Sequence, residues 1–140
     1  MLIRVGLAID NSPLQRYLAK NLVDNDVRVE LFGPPRSVWR NALQRGFDVI
    51  VISDAFVLRP VDNGIAILNA LPENPTTVIL HPSDSLEAHA RLTAAGADVV
   101  LYTGLSKTRI YEAIDSALES RRQFIQRKRF DRRGLVEPKL

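Results

Sequence analysis

The chain has 140 residues, of which 46% are hydrophobic and 25% charged, a composition typical of one soluble globular domain. It contains no cysteine, which excludes disulfide bonds, thiolate catalysis and cysteine-ligated metals. No apolar run approaches the roughly 20 residues of a membrane helix, and the first residues turn polar too early for a signal peptide. We therefore expect a cytoplasmic protein that does not contact the membrane.

The net charge of +3 conceals an uneven distribution of charge along the chain. Residues 1–120 contain 11 Lys/Arg and 14 Asp/Glu, a net charge of −3, whereas residues 121–140 contain 8 and 2, a net charge of +6. We therefore divide the chain into a domain over residues 1–120 and a basic helix and linker over residues 121–140. A basic tail can contact nucleic acid or an acidic partner. A solvated helix is the simpler interpretation, so we expect no direct nucleic-acid contact.

In the first half of the chain, short apolar runs alternate with segments of helical spacing. Such runs are typical of buried parallel strands, and they occur at residues 3–9, 27–32 and 47–52. Asn11-Ser12-Pro13 predicts the start of the first helix, because a capping residue precedes proline in the first turn. A second helix is predicted over residues 37–45, ending at Gly46.

The same alternation continues in the second half. Strands are predicted at residues 76–80 and 99–102, and helices at residues 65–71, 83–95 and from Ser106 to about residue 129. Residues 54–63 are predicted to form a loop. Strict alternation of five strands with five helices predicts an α/β fold, because right-handed crossovers place helices on both faces of a parallel sheet. We expect a doubly wound five-stranded parallel sheet in a three-layer, flavodoxin-like sandwich.

Fold alone does not establish function, so the residues at the strand ends matter more. Over residues 1 to about 120 the sequence resembles the bacterial response-regulator receiver domain. The acidic turn Asp10-Asn11, the apolar strand at 47–52, Asn63-Gly64 and the segment 94–98 (Ala-Ala-Gly-Ala-Asp) follow one another at the spacing of that family. In the family, Asn63-Gly64 corresponds to the pair that opens the third helix.

The resemblance implies a phosphorylation site of five groups, and most of them are replaced here. Such a site has two acids that bind Mg²⁺, an acceptor aspartate, a Thr or Ser, and a Lys. By position these groups fall on Asp10, Asn11, Ser53, His81 and Thr103, so that only the first acid is retained. We therefore expect a degenerate pseudo-receiver that is not an enzyme and holds no metal or cofactor.

Asp54, beside Ser53, leaves one alternative open. A shift of one residue would make Asp54 the phosphate acceptor. Adjacent side chains in a strand face opposite sides, however, and the apolar pattern sets the register. The shift would also leave Asp48 one step out of place and would not restore the missing lysine.

The last helix predicts an interaction surface. Apolar residues at helical spacing continue from the part that packs on the sheet into the basic tail, where they would be exposed unless a partner covers them. We expect this helix to form a homodimer or bind a partner through Ile114, Leu118, Phe124 and Ile125. Phe124 capping the domain's own surface is the alternative.

Together these features predict a non-phosphorylatable, receiver-like regulatory domain of a bacterial transcription regulator. It would act through contacts with other signalling proteins or with a fused output domain that residues 132–140 lead into. A sensor of a small ligand or nucleotide is the alternative on the same scaffold. That ligand would occupy the vacated pocket near Asp10, Ser53, His81 and Thr103.

Overall fold

The computed structural model describes residues 2–31, 44 and 46–132, with the backbone alone for residues 129–132. Within these residues five strands form one parallel sheet in the order β2-β1-β3-β4-β5. The strands are β1 (Ile3–Ala8), β2 (Val27–Leu31), β3 (Val49–Ser53), β4 (Thr76–His81) and β5 (Val99–Tyr102). The predicted α/β sheet is therefore confirmed, with each predicted strand in its place.

The described residues contain four helices, three of which lie between strands while the fourth follows β5. They are α1 (Ser12–Leu22), α2 (Val61–Asn69), α3 (Leu86–Ala95) and α4 (Lys107–Arg132), and a short 3-10 turn spans Asp54–Phe56. The helix predicted at residues 37–45 lies, apart from Gln44, outside the described residues. No helix of the described part of the chain is long and apolar enough to cross a membrane.

The helix predicted to begin at Ile65 begins four residues earlier, at Val61. Pro60 precedes it in an extended conformation, and Asn63-Gly64 lies inside the helix instead of opening it. Gly64 is buried, and a Cβ atom there would collide with the carbonyl oxygen of Leu58. The prediction for Asn63-Gly64 was thus wrong, because this glycine permits a close backbone contact and does not mark a helix start.

Alternating side chains of the strands fill two separate cores. Val49 and Val51 of β3 pack with α1 and α4 on one face of the sheet. Ile50 and Ile52 pack with α2 and α3 on the other. Every residue of β3 is buried, as expected for a central parallel strand with helices on both sides.

Ile50 gives a direct test of this packing, because it is 1% exposed on the central strand. Ile50→Ala should lower the free energy of unfolding by about 2–5 kcal/mol, through lost burial and the cavity left behind. Ile67→Ala is the matched control: Ile67 is 41% exposed on α2, so the change should cost less than about 0.5 kcal/mol. Chemical denaturation measures both, and equal losses would contradict the assigned core.

The carboxyl-terminal half of α4 is attached to the amino edge of the sheet. Ile114 and Leu118 are fully buried in the core, and Ile125 packs against it. Arg121, which is 8% exposed, donates hydrogen bonds to the carbonyl oxygens of Glu73 (2.7 Å) and Asn74 (2.8 Å). The contacts of the domain therefore extend past residue 120, where the charge distribution placed its boundary.

Arg122 forms an ion pair with Asp26, the residue before β2. Its Nε and Nη2 atoms lie 2.7 and 3.1 Å from the two carboxylate oxygens. The hydrogen bond from Arg122 lowers the pKa of the Asp26 carboxyl, and the same bond raises the pKa of the guanidinium. A carboxyl whose pKa is lowered by folding stabilises the fold above its unfolded pKa and loses that contribution as the pH falls through its folded pKa.

Arg122→Gln should therefore raise the pKa of Asp26 towards its ordinary value. It should also make the free energy of unfolding less dependent on pH in the acid range. NMR titration of the Asp26 carboxyl carbon measures the first effect, and denaturation at a series of acid pH values measures the second. Arg127→Gln, at an exposed position of the same helix, is the control. An unchanged Asp26 titration would show that the pair does not form in solution.

Candidate functional site

Five of the six predicted site residues line one pocket at the carboxyl edge of the sheet. The pocket has a volume of about 200 Å³. Its lining includes Asp10, Asn11, Ser53, Asp54 and Thr103. They meet there because the carboxyl ends of β1, β3 and β5 lie at the same edge of a parallel sheet.

Ser53 and Asp10 form the centre of this pocket. The Ser53 hydroxyl donates to Asp10 Oδ1 at 3.0 Å and accepts from the Asp10 backbone N–H at 3.0 Å. Ser53 is 2% exposed, whereas Asp10 is exposed. The hydroxyl is therefore held from both sides by one residue, which fixes its rotamer and occupies one carboxylate oxygen.

Asn11 is used as a helix cap. Its side-chain oxygen accepts a hydrogen bond from the backbone N–H of Leu14 at 3.0 Å, and Pro13 follows in the first turn of α1. The predicted helix start is confirmed. The amide oxygen that would stand in for the second metal-binding acid is therefore engaged in local structure.

Asp54 lies just beyond β3, as the apolar pattern of the strand predicts. Ser53 is the last residue of the strand and pairs with Leu80 of β4, while Asp54 begins the 3-10 turn. The Asp54 carboxylate is paired with Arg59, whose Nη2 lies 3.2 Å from Oδ2 and 3.0 Å from the Asp54 carbonyl oxygen. Ser53 thus takes the strand-end position, although Asp54 also faces the pocket.

His81 does not line this pocket and shares a cavity with Asp54 alone among the predicted site residues. It ends β4 and lines an adjoining cavity of about 160 Å³, together with Asp54 and Arg59. Its Nδ1 accepts the backbone N–H of Ser83 at 3.1 Å. His89 of α3 is half-buried, and its Nε2 lies 2.7 Å from the Ser83 carbonyl oxygen.

Sequence reasoning missed Arg59, which lines both cavities and holds Asp54. Its only sequence signal is a lone basic residue before Pro60, in a segment predicted to be a loop. Its partner is five residues away, and neither helical nor strand spacing relates the two. The contact between Arg59 and Asp54 depends on the 3-10 turn, and no periodic pattern in the sequence predicts that turn.

The residues present do not fit a Mg²⁺ ion. Asp10 Oδ1 accepts the Ser53 hydroxyl, Asn11 caps α1, and Asp54 is paired with Arg59. A hard cation requires several free oxygen ligands, and a neutral amide is a poor substitute for a carboxylate. Within the described residues, no group of three or more His, Asp or Glu side chains is arranged to hold a metal.

Searches of protein-family models and of curated proteins give no match. Solved structures do resemble the chain. A CheY-like receiver domain protein from Methanospirillum hungatei is 15% identical, covers 88% of this chain and 98% of its own, and has a TM-score of 0.71. An orphan response regulator of Helicobacter pylori is 16% identical, covers 81% and 94%, and has a TM-score of 0.69.

A longer protein is similar over part of its length. NtrX from Brucella abortus, solved in complex with ADP, is 13% identical with a TM-score of 0.73. The match covers all of this chain and 31% of NtrX. At such identities structural likeness establishes the fold, so the chain has the fold of CheY-like response-regulator receiver domains.

Proposed function

We propose that this chain is a receiver-like signalling domain that accepts no phosphoryl group and regulates other proteins by direct contact. The observation that supports this most strongly is the Ser53–Asp10 pair. The sequence assigns the acceptor position to Ser53, and the one retained acid, Asp10, bonds to its hydroxyl. The domain is accordingly a regulator and not an enzyme.

The Ser53 hydroxyl is a poor replacement for the acceptor. A serine becomes a good nucleophile only when a base removes its proton, and a carboxylate such as Asp10 is a weak base. The family's lysine position carries the neutral Thr103, which cannot offset the charge of a transferring phosphoryl group. By this assignment the pocket lacks an activated nucleophile at Ser53, a second metal-binding acid at Asn11 and the family's lysine at Thr103.

Contact with partners is supported by the kind of protein that shares the fold. The orphan regulator is one such protein, and in NtrX the similar part is a fraction of a longer chain. We propose that residues 132–140 lead to an output domain of a transcription regulator. The last helix would then carry changes in the domain to that output.

The pocket gives less support to the alternative function, a sensor of a small ligand or nucleotide. Its volume of about 200 Å³ lies below the about 300–1,000 Å³ of typical ligand sites. Its polar centre is already closed by the Ser53–Asp10 pair. A nucleotide sensor in this pocket would have to break that pair on binding.

The phosphorylation chemistry has a direct test. Incubation with acetyl phosphate or beryllofluoride in the presence of Mg²⁺ should leave the mass of the protein unchanged. The NMR spectrum should show no saturable Mg²⁺ binding at Asp10, because Asn11 and Asp54 are engaged elsewhere. An active receiver domain treated in parallel supplies the positive control.

Asp54→Asn separates the two registers in the same assay. A stoichiometric adduct that forms on the natural chain and disappears in Asp54→Asn would overturn the proposal and show that Asp54 is the acceptor. An adduct that persists in Asp54→Asn but disappears in Ser53→Ala would place it on the serine and overturn the proposal as well.

Dimerisation through the last helix depends on Phe124. Of the four residues predicted for this surface, Phe124 is the exposed one at 39%, and the cationic groups of Arg121 and Lys128 lie 5.0 and 5.2 Å from its ring centre. Ile114 and Leu118 are enclosed in the core and do not reach the surface. Any seam must therefore form from Phe124 and the helix beyond it.

We expect a weak dimer that tightens as salt is raised. Burying the exposed 39% of Phe124 contributes only part of the roughly 1.5–3 kcal/mol of a fully buried side chain, while salt screens the repulsion between the basic helices. Phe124→Glu should give a monomer of unchanged fold in sedimentation experiments. Leu86→Glu, at an 87% exposed position of α3, is the matched control and should leave the dimer intact.

Two outcomes would contradict this surface. A dimer that survives Phe124→Glu and is lost in Leu86→Glu would place the contact on α3. DNA affinity that falls steeply as salt is raised, with no dimer at any salt concentration, would instead assign the basic tail to nucleic-acid binding.

A further inference from the structure

The cavity lined by His81 has a chemistry different from that of the acidic pocket beside it. It encloses about 160 Å³ between the end of β4, the start of α2 and the first turns of α3. Its charged lining residues are Arg59, Arg91 and Asp54. Two arginines and one aspartate therefore line the cavity, which gives it a net positive charge within a body that is acidic overall.

The donors of this cavity are only partly used. Arg91 is exposed and makes no hydrogen bond or ion pair with the described residues. Arg59 uses Nη2 for the carboxylate and carbonyl oxygens of Asp54, and its side chain is 54% exposed. Nδ1 of His81 lies 3.1 Å from the Ser83 nitrogen and 3.2 Å from the Ser83 carbonyl oxygen, whereas Nε2 has no hydrogen-bond partner in the described part of the chain.

We propose that this cavity binds a small dianionic oxyanion, namely inorganic phosphate or the phosphate end of a small monoester. Guanidinium groups bind phosphate through paired N–H donors, and the histidine N–H adds a third. The apolar walls formed by Val61, Ala88 and Leu92 exclude water on one side and strengthen these bonds. The volume suits a headgroup and not a whole nucleotide.

The Asp54 carboxylate competes with the proposed dianion for Arg59. Its carboxylate holds Arg59 in the empty cavity, and it would repel a bound dianion. A dianion that binds both arginines therefore draws Arg59 away from Asp54, and Asp54 also lines the acidic pocket. The binding needs no covalent step, so it stands independently of the phosphorylation chemistry proposed above.

The test is an NMR titration of the full chain with inorganic phosphate and, separately, with methyl phosphate. We expect saturable shifts of the Arg59, His81 and Arg91 amides.

Arg91→Gln should weaken binding about tenfold or more, through loss of a charged hydrogen bond. Asp54→Asn should tighten binding severalfold, because it removes the repelling charge and frees Arg59. Arg16→Gln, exposed on α1 on the opposite face of the sheet, should change nothing.

Methyl phosphate distinguishes the source of the anion. Equal binding of both probes assigns the site to a monoester, and binding of inorganic phosphate alone assigns it to the free ion. Shifts confined to the basic residues 121–128, or affinity unchanged in Arg91→Gln, would overturn the proposal. Weaker binding in Asp54→Asn would also overturn it, because the carboxylate would then be part of the site and not its competitor.

Discussion

The register of β3 is the constraint on which the remaining structure depends. All five of its residues are buried, and helices cover both faces of the sheet. A slip by one residue would exchange the side chains of the two cores, and the different shapes of those cores forbid it. The same register places Ser53 at the strand end, opposite Asp10. The packing of the core therefore decides which side chain stands at the end of the central strand.

Side chains that alternate along the strands divide the carboxyl edge of the sheet into two environments. Ser53 and Asp10 bond to each other in a small acidic pocket, while His81 lines a cationic cavity that the pocket adjoins. Asp54 and Arg59 belong to both, because their ion pair lies between the two cavities. Two cavities with different charged linings thus adjoin at one edge of the same sheet.

The other end of the domain is stabilised by the basic residues that the charge distribution had assigned to a tail. Arg121 is buried and satisfies two carbonyl oxygens before β4, and Arg122 pairs with Asp26 before β2. These are contacts across 47, 48 and 96 residues of sequence. Local periodicity carries no information about such distant partners, so the helix seemed to leave the domain earlier than it does.

Strand positions, the Asn11 cap and the place of Ser53 at the end of β3 could all be read from residue order. They depend on local chemistry: apolar runs, capping side chains and the period of two along a strand. The start of α2, the separation of His81 from the acidic pocket and the pairing of Arg59 with Asp54 could not. Each depends on which elements approach one another in space, such as the backbone of Leu58 against Gly64. Short-range pattern determines the elements and their order, whereas packing determines which side chains meet.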